Sequence, residues 1–417
     1  MAYRKRIVDQ ELERRLASMG AVVIEGPKAC GKTETARQMA RSEVLLDVDL
    51  QARRALGVDP ALVLAGATPR LIDEWQVEPA IWNHIRRAID EHRTPGQFIL
   101  TGSAVPTDDV TRHTGAGRLA RLRMRPMSLY ESGHATGEVS LAGMLEGEKP
   151  RAADPGMSIQ DVTARTCAGG WPGLLSLGVD EATEAVRSYL DEIRRVDVSR
   201  VGGASRDPAK VGRLLASLGR HVSTRASIPT LAADVGGSDE PLALTTVREY
   251  LAVLEQLMIV EDQPAWGPHL RSRSRLQKAP TRHFVDPSLA VAAVGATPTS
   301  LLNDLGMLGL VFESMVVRDL RIYAQSVDGE VLHYHDNTGL EVDAIVRVRD
   351  GRWAAFEVKL GHGDVDRAAA NLIKLRDMRI DLERAAAPTS LAVIVATGLS
   401  YVRPDGVAVV AVGSLGP

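Results

Sequence analysis

The residues best placed to do chemistry form one short run, Gly26-Pro27-Lys28-Ala29-Cys30-Gly31-Lys32-Thr33, followed directly by Glu34. It fits the pattern G-x-x-x-x-G-K-[ST]. The two glycines let the backbone fold back so that successive N–H groups point inward, and a helix beginning at its end adds the positive pole of its dipole. Such a cradle takes a diphosphate. Lys32 would reach the β- and γ-phosphates, and the Thr33 hydroxyl would take one position on a Mg²⁺ ion. The expected ligands are ATP and ADP with Mg²⁺.

The loop works only between a strand and a helix. The apolar run Ala21–Ile24 supplies the strand, and Glu34 to Arg41 reads as the helix. Further strands are expected at Val44–Val48, Pro69–Glu74 and Gln97–Ser103, with helices at Ile7–Met19 and Pro79–His92. Asp73 then stands at the end of a buried strand, 40 positions after Thr33. A carboxylate there can hold Mg²⁺ through water, and Glu74 beside it can orient or deprotonate the attacking water. The competing reading is that Asp73-Glu74 merely caps a following helix. Thr101 or Ser103 would reach the γ-phosphate or the lytic water, unless Gly102-Ser103 is only a turn. Between Arg112 and Arg125 lie five arginines, two glycines and no acid. Arg118 and Arg121, just after Gly115 and Gly117, are the candidates for an arginine finger on a neighbour's γ-phosphate. A solvated basic loop or strand edge explains the same residues.

Taken together, GPKACGKT, LIDEWQ, ILTGSA and GAGRLARLRMRPMSLYE resemble the prokaryotic AAA-type ATPases whose C-terminal half is domain of unknown function 4143. The resemblance spans most of residues 1–145, and Ala168-Gly-Gly-Trp-Pro-Gly173 is similar to the family's Gly-Gly-aromatic-Pro turn. It implies phosphate and Mg²⁺ binding by Lys32 and Thr33, metal binding by Asp73 and catalysis by Glu74.

Composition narrows the rest. A chain of 417 residues should divide into two or three domains. A net charge of −3 excludes a globally basic nucleic-acid coat, so such contacts would come from local patches. Two cysteines, Cys30 and Cys167, without a secretory signal, point to a reducing cytoplasm. No apolar run reaches bilayer length, so no membrane is expected. Aromatic residues at 4% argue against single-strand binding by stacked rings.

After a first domain (1–145), a Pro- and Gly-rich linker (Gly147 to Gly156) leads to a helical lid within 146–205, with helices at Ser158–Ala168, Trp171–Leu177 and Asp180–Val198. A winged-helix-like domain is expected over 206–295. Its helices are Asp207–Arg225, Thr230–Val235 and Leu244–Met258, the third carrying Thr245, Thr246, Arg248 and Glu249 near its start. Ile259–Glu261 and Arg282–Val285 would form the wing around Arg271, Arg273, Arg275 and Lys278, which would meet DNA phosphates. Winged helices also serve as protein-docking modules, and that alternative stays open.

The last part, 296–417, runs helix (Leu301–Gln325), three strands, helix (Val365–Met378), strand, with a final strand at Val407–Val412. Asp343 lies on the second strand and Glu357-Val-Lys359 on the third, where residues two apart share a face. Two acids would hold Mg²⁺ or Mn²⁺, and the lysine would orient water. Glu313 on the long helix would add a further acid. The order and the residues resemble the PD-(D/E)xK nuclease superfamily, with Val342 in place of the proline. The expected fold is thus α/β throughout: a P-loop NTPase domain of AAA+ type, a helical lid and winged helix-turn-helix, and a restriction-endonuclease-like domain. The expected function is a Mg²⁺-dependent ATPase acting on DNA, a homo-oligomer if an arginine acts in trans. The alternatives are an ATP-regulated DNA nuclease and a nucleotide switch that binds protein partners.

Overall fold

The structure, a computed structural model, describes residues 3–102, 114–198, 206–237, 240–268, 279–381, 383 and 385–417. The first sheet is built from β1 (Ala21–Glu25), β2 (Ser42–Leu45), β3 (Arg70–Asp73), β4 (Phe98–Gly102) and β5 (Leu119–Arg123). All neighbours are parallel, in the order β2-β3-β4-β1-β5. Parallel strands need both faces covered, and the inner strands β1 and β4 are accordingly buried along nearly their whole length. Val23, Ile72 and Leu100 pack on the helix Ile81–His92, while Val22, Ile24, Leu71 and Ile99 pack on the helix Val8–Ser18. Glu25, Asp73 and Gly102 therefore end at one edge of the sheet, where such folds place ligands. The arginine-rich run is partly this sheet's edge strand, with Leu122 turned into the core.

β6 (Val139–Ser140) leads into the helix Leu141–Glu146. The middle of the chain contains the helices Ile159–Ala168, Val179–Glu192, Pro208–Arg220, Ile228–Gly236 and Leu244–Gln256. The antiparallel pair β7 (Val260–Gln263) and β8 (Thr281–Phe284) follows, then helices Pro287–Val294 and Pro298–Asn303. The second helix continues as a π-helical turn, Ile193–Asp197. Trp171–Leu177, expected as a helix, holds only the short 3₁₀ turn Pro172–Leu174, because Pro172 and Gly173 interrupt it.

The second sheet runs β13-β14-β12-β11-β10-β9, from β9 (Glu330–His335), β10 (Glu341–Arg347), β11 (Trp353–Lys359), β12 (Ser390–Val395), β13 (Tyr401–Val402) and β14 (Ala408–Ala411). β9, β10 and β11 pair antiparallel; β11, β12 and β14 pair parallel. The helix Leu305–Gln325 covers one face and Val365–Arg379 the other. The helix expected over Leu301–Gln325 is broken at Asp304, whose non-helical backbone ends one helix and whose carboxylate caps the next at Met307 N, 3.0 Å away.

Packing cuts across the expected divisions. Cys167, Val186, Val211, Leu231, Val247 and Leu308 share one core, so residues on both sides of 205 pack as a unit. Leu129, Leu141, Met144 and Leu145 are buried with Met315, Leu320 and Phe356 in the core of the second sheet. The expected linker is fixed as well: Ala152 bridges Ser400 through paired backbone bonds of 3.0 and 3.1 Å. β15 (Leu415–Gly416) pairs parallel with β6. No helix among the described residues is long and apolar enough to cross a membrane.

Candidate functional site

The loop from Gly26 to Thr33 leaves the end of β1 and enters the helix Lys32–Arg37. Ala29 and Gly31 take left-handed backbone conformations, with φ of 62° and 101°, which turns successive amides inward. Gly26 has no room for a side chain: a Cβ there would lie 2.4 Å from the Met124 carbonyl oxygen. Lys32, nearly buried, donates from Nζ to the Pro27 carbonyl at 2.8 Å. The Thr33 hydroxyl donates to Asp73 Oδ1 at 2.9 Å, and the buried Thr101 hydroxyl donates to the same oxygen. Glu74 follows with φ of 51° and is held by the Gln76 amide.

Other expected loop contacts turn elsewhere. Lys28 pairs with the buried Asp197 at 2.6 Å, and Tyr189 donates to the Lys28 carbonyl at 3.3 Å, so the helical region touches the loop directly. Glu34 points to solvent and pairs with Arg37 at 2.6 Å. Cys30 is buried. Ser103 lies outside the described residues, as do Arg112, Arg271, Arg273, Arg275 and Lys278. Arg118 pairs with Asp90 at 2.6 Å; Arg121 pairs with Glu25 and lies 5.7 Å from the centre of the Trp82 ring. Both arginines are thus engaged within their own domain.

A cavity of about 430 Å³ opens beside the loop, lined by Tyr3, Arg6, Gly31, Thr35, Met127 and Pro172 among others. Pro172 belongs to the Gly-Gly-Trp-Pro turn, whose glycines have a steric reason. A Cβ on Gly170 would sit 1.9 Å from the Met127 carbonyl oxygen, and Gly169 has φ of 71°. Gly170 N donates to Asp286 Oδ2 at 3.0 Å, and that carboxylate also takes Arg318 at 2.8 Å. Arg6 was invisible to sequence reasoning. It is buried, and it donates to the Cys30 carbonyl at 3.0 Å and to Glu131 at 3.0 Å.

The C-terminal acids gather only in part. The register of β10 against β9 shifts between Val342 and Ile345, and Asp343 lies in that irregularity. Asp343 Oδ2 accepts from Val358 N at 2.7 Å and from Lys359 Nζ at 3.2 Å, while Lys359 reaches Glu357 at 2.7 Å. Burial, then Asp343, pushes the Glu357 carboxyl up to about 8. Burial, then Asp343, also raises Glu313 well above the carboxylate range. Burial works against the Lys359 ammonium, but Asp343 and Glu357 outweigh it and hold its pKa above the ordinary value. Glu313, Asp343 and Glu357, the expected metal-ligating set, lie in one neighbourhood with Lys359. Among the described residues no three such side chains converge to hold an ion, because Lys359 sits between Asp343 and Glu357. A cavity of about 480 Å³ adjoins Glu313 and Asp343; the turn Ser223–Ala226 lines its other side, and Arg225 pairs there with Glu341.

A parallel sheet with this loop at the end of its inner strand is the architecture of P-loop ATPases. Domain comparisons agree: the AAA domain matches residues 18–133, and domain of unknown function 4143 matches residues 308–415. The chain therefore combines an AAA domain with a C-terminal domain of unknown function 4143. A further domain of unknown function, 8612, matches residues 159–300. Uncharacterized proteins of Mycobacterium bovis and Mycobacterium tuberculosis are each 24% identical over 363 residues, 86% of this chain and 74% of theirs. Among solved structures, a Walker-type ATPase of Pyrococcus abyssi overlays with a TM-score of 0.43 at 12% identity, covering 68% of this chain and 94% of that one. The ORC1 protein of Aeropyrum pernix in complex with DNA gives 0.25 at 16% identity, covering 71% and 94%.

Proposed function

We propose that this chain is a Mg²⁺-dependent, ATP-binding and ATP-hydrolysing protein of AAA type that acts on DNA in the cytoplasm. The observation that carries the nucleotide reading is the meeting of Thr33 and Asp73 at 2.9 Å beside the phosphate loop. A hydroxyl and a carboxylate are hard oxygen donors, so the pair suits Mg²⁺ directly or through water. Mg·ATP held there by Thr33 and Asp73 would supply the reactive phosphoryl group and a cation to offset its charge. Lys32 exchanges the neutral Pro27 carbonyl for phosphate oxygens, Thr101 fixes the orientation of Asp73, and Glu74 orients and deprotonates the attacking water.

The DNA reading rests on three successive helices followed by the antiparallel β7–β8 pair, the order of a winged helix-turn-helix. Thr245, Arg248 and Glu249 stand exposed near the start of the third helix. A second reading, an ATP-regulated nuclease, is favoured by the contact of Asp343, Glu357 and Lys359. Among the described residues no three metal-ligating side chains converge to hold an ion, so we assign no step to a metal there.

The deciding experiment is ATP hydrolysis across a panel of DNA and RNA forms, with Lys32→Ala and Glu74→Gln as controls. Stimulation by DNA, with binding that weakens as salt rises, supports action on DNA. Turnover indifferent to every nucleic acid supports a protein-binding switch. Absence of Mg·ADP and Mg·ATP affinity would end the ATPase reading.

A further inference from the structure

We infer that Arg6, anchored by Glu131, positions the phosphate loop by setting the polarity of the Cys30–Gly31 peptide. The inference rests on the nucleotide reading of that loop. Arg6 is only 4% exposed, and burying a guanidinium is unfavourable unless its donors are used. They are used on three separate groups. Nε and Nη2 reach the two oxygens of Glu131 at 3.0 and 3.4 Å, Nη2 reaches the Arg125 carbonyl at 2.8 Å, and Nη1 reaches the Cys30 carbonyl at 3.0 Å.

Glu131 is built to hold this cation still. Besides Arg6 it accepts from Ile7 N at 2.8 Å, Ser128 N at 3.0 Å and Ser128 Oγ at 3.3 Å. The carboxylate is therefore fixed by backbone on both sides, and Arg6 is fixed by the carboxylate.

The consequence for the loop follows from peptide geometry. The C=O and N–H of one planar trans peptide point in opposite directions. With the Cys30 oxygen drawn back onto Arg6, the Gly31 N–H must point the other way, into the concave side of the loop. The left-handed Gly31 completes that turn. A peptide flip at this position would instead present a carbonyl oxygen to the phosphates, replacing an attraction with a repulsion. Lysine could not do the same work, because one ammonium cannot span Glu131, Arg125 and Cys30 in a fixed fork. Arg6 is thus a positioning residue: it acts through the Gly31 amide.

The test uses the full chain and Mg·ADP as probe, with titration calorimetry for affinity, steady-state ATP hydrolysis, and thermal unfolding to verify the fold. Arg6→Ala should weaken Mg·ADP roughly tenfold to a hundredfold, the worth of a charge-assisted bond. The loss should fall on KM more than on kcat, since Glu74 is untouched. Guanidinium well below denaturing concentration should restore affinity in Arg6→Ala, while urea should not. Arg6→Lys should recover only part, and the near-isosteric Glu131→Gln should show the same defect more weakly. If Arg6→Ala does not fold, Arg6→Lys and Glu131→Gln decide. Folded variants that bind Mg·ADP like the parent, where Lys32→Ala does not, overturn this inference alone. A parent protein without Mg·ADP affinity overturns the nucleotide reading and the inference with it.

Discussion

The two candidate sites each carry an aspartate and a lysine, yet they partner the lysine differently. At the first, Lys32 bonds to a backbone carbonyl and Asp73 is held by two hydroxyls. At the second, Lys359 is held between Asp343 and Glu357, and burial followed by Asp343 raises the nearby Glu313 carboxyl. The first leaves its lysine on a neutral backbone oxygen. The second is a closed ion pair beside buried carboxyl groups held toward their protonated form, roofed by the Ser223–Ala226 turn. Residue type does not decide what such a group does; its partners and its burial do.

The sharpest way to break this comparison is Lys32→Ala. It should bring ATP hydrolysis to background and weaken Mg·ATP by roughly a hundredfold or more, as loss of a key phosphate donor does, measured by phosphate release and calorimetry. Any chemistry of the C-terminal acids should survive it. Glu74→Gln should lower kcat roughly a hundredfold to ten-thousandfold while ATP still binds. Lys359→Ala should abolish cation-dependent cleavage of DNA and leave ATP turnover intact; a parent protein that cuts no nucleic acid would remove the nuclease reading.

A subtler effect concerns pH. Glu357 is raised from the usual 4.5 to about 8, so between those values the folded state holds a proton that the unfolded chain has released. Stability from this group is therefore full below about pH 4.5 and is lost as pH climbs to about 8. Glu357→Gln should flatten that decline, on the order of a few kcal/mol, visible in thermal midpoints at about pH 5 and about pH 8. The smallest change is expected from Arg118→Ala, whose surface pair with Asp90 should matter little to the thermal midpoint. If its turnover also ceases to rise with protein concentration, Arg118 acts on a neighbouring copy.

What sequence reasoning captured was local. The phosphate loop is a spacing within eight residues, and Asp73 follows from where an apolar strand must stop. The element order of the last part was equally readable, because each strand and helix carries its own periodicity. What escaped depends on residues far apart. Nothing in the chain links Arg6 to Glu131, and no pattern announces the irregularity in β10 that carries Asp343. The break at Asp304 was hidden because Leu301, Leu305 and Leu308 keep helical spacing across it. Gly147 to Gly156 has the composition of a linker, but its backbone bonds to Ser400 could be seen only in three dimensions.

The helix Leu305–Gln325 places Leu308 and Val311 in one apolar core and Phe312, Met315 and Leu320 in another. Residues Leu129 to Leu145 lean on the second of these. An expression fragment stopping at 145 would therefore carry an orphaned greasy tail and tend to precipitate, whereas crystallographers trimming before Leu129 would sacrifice Glu131 and its hold on Arg6. Neither cut yields a faithful miniature.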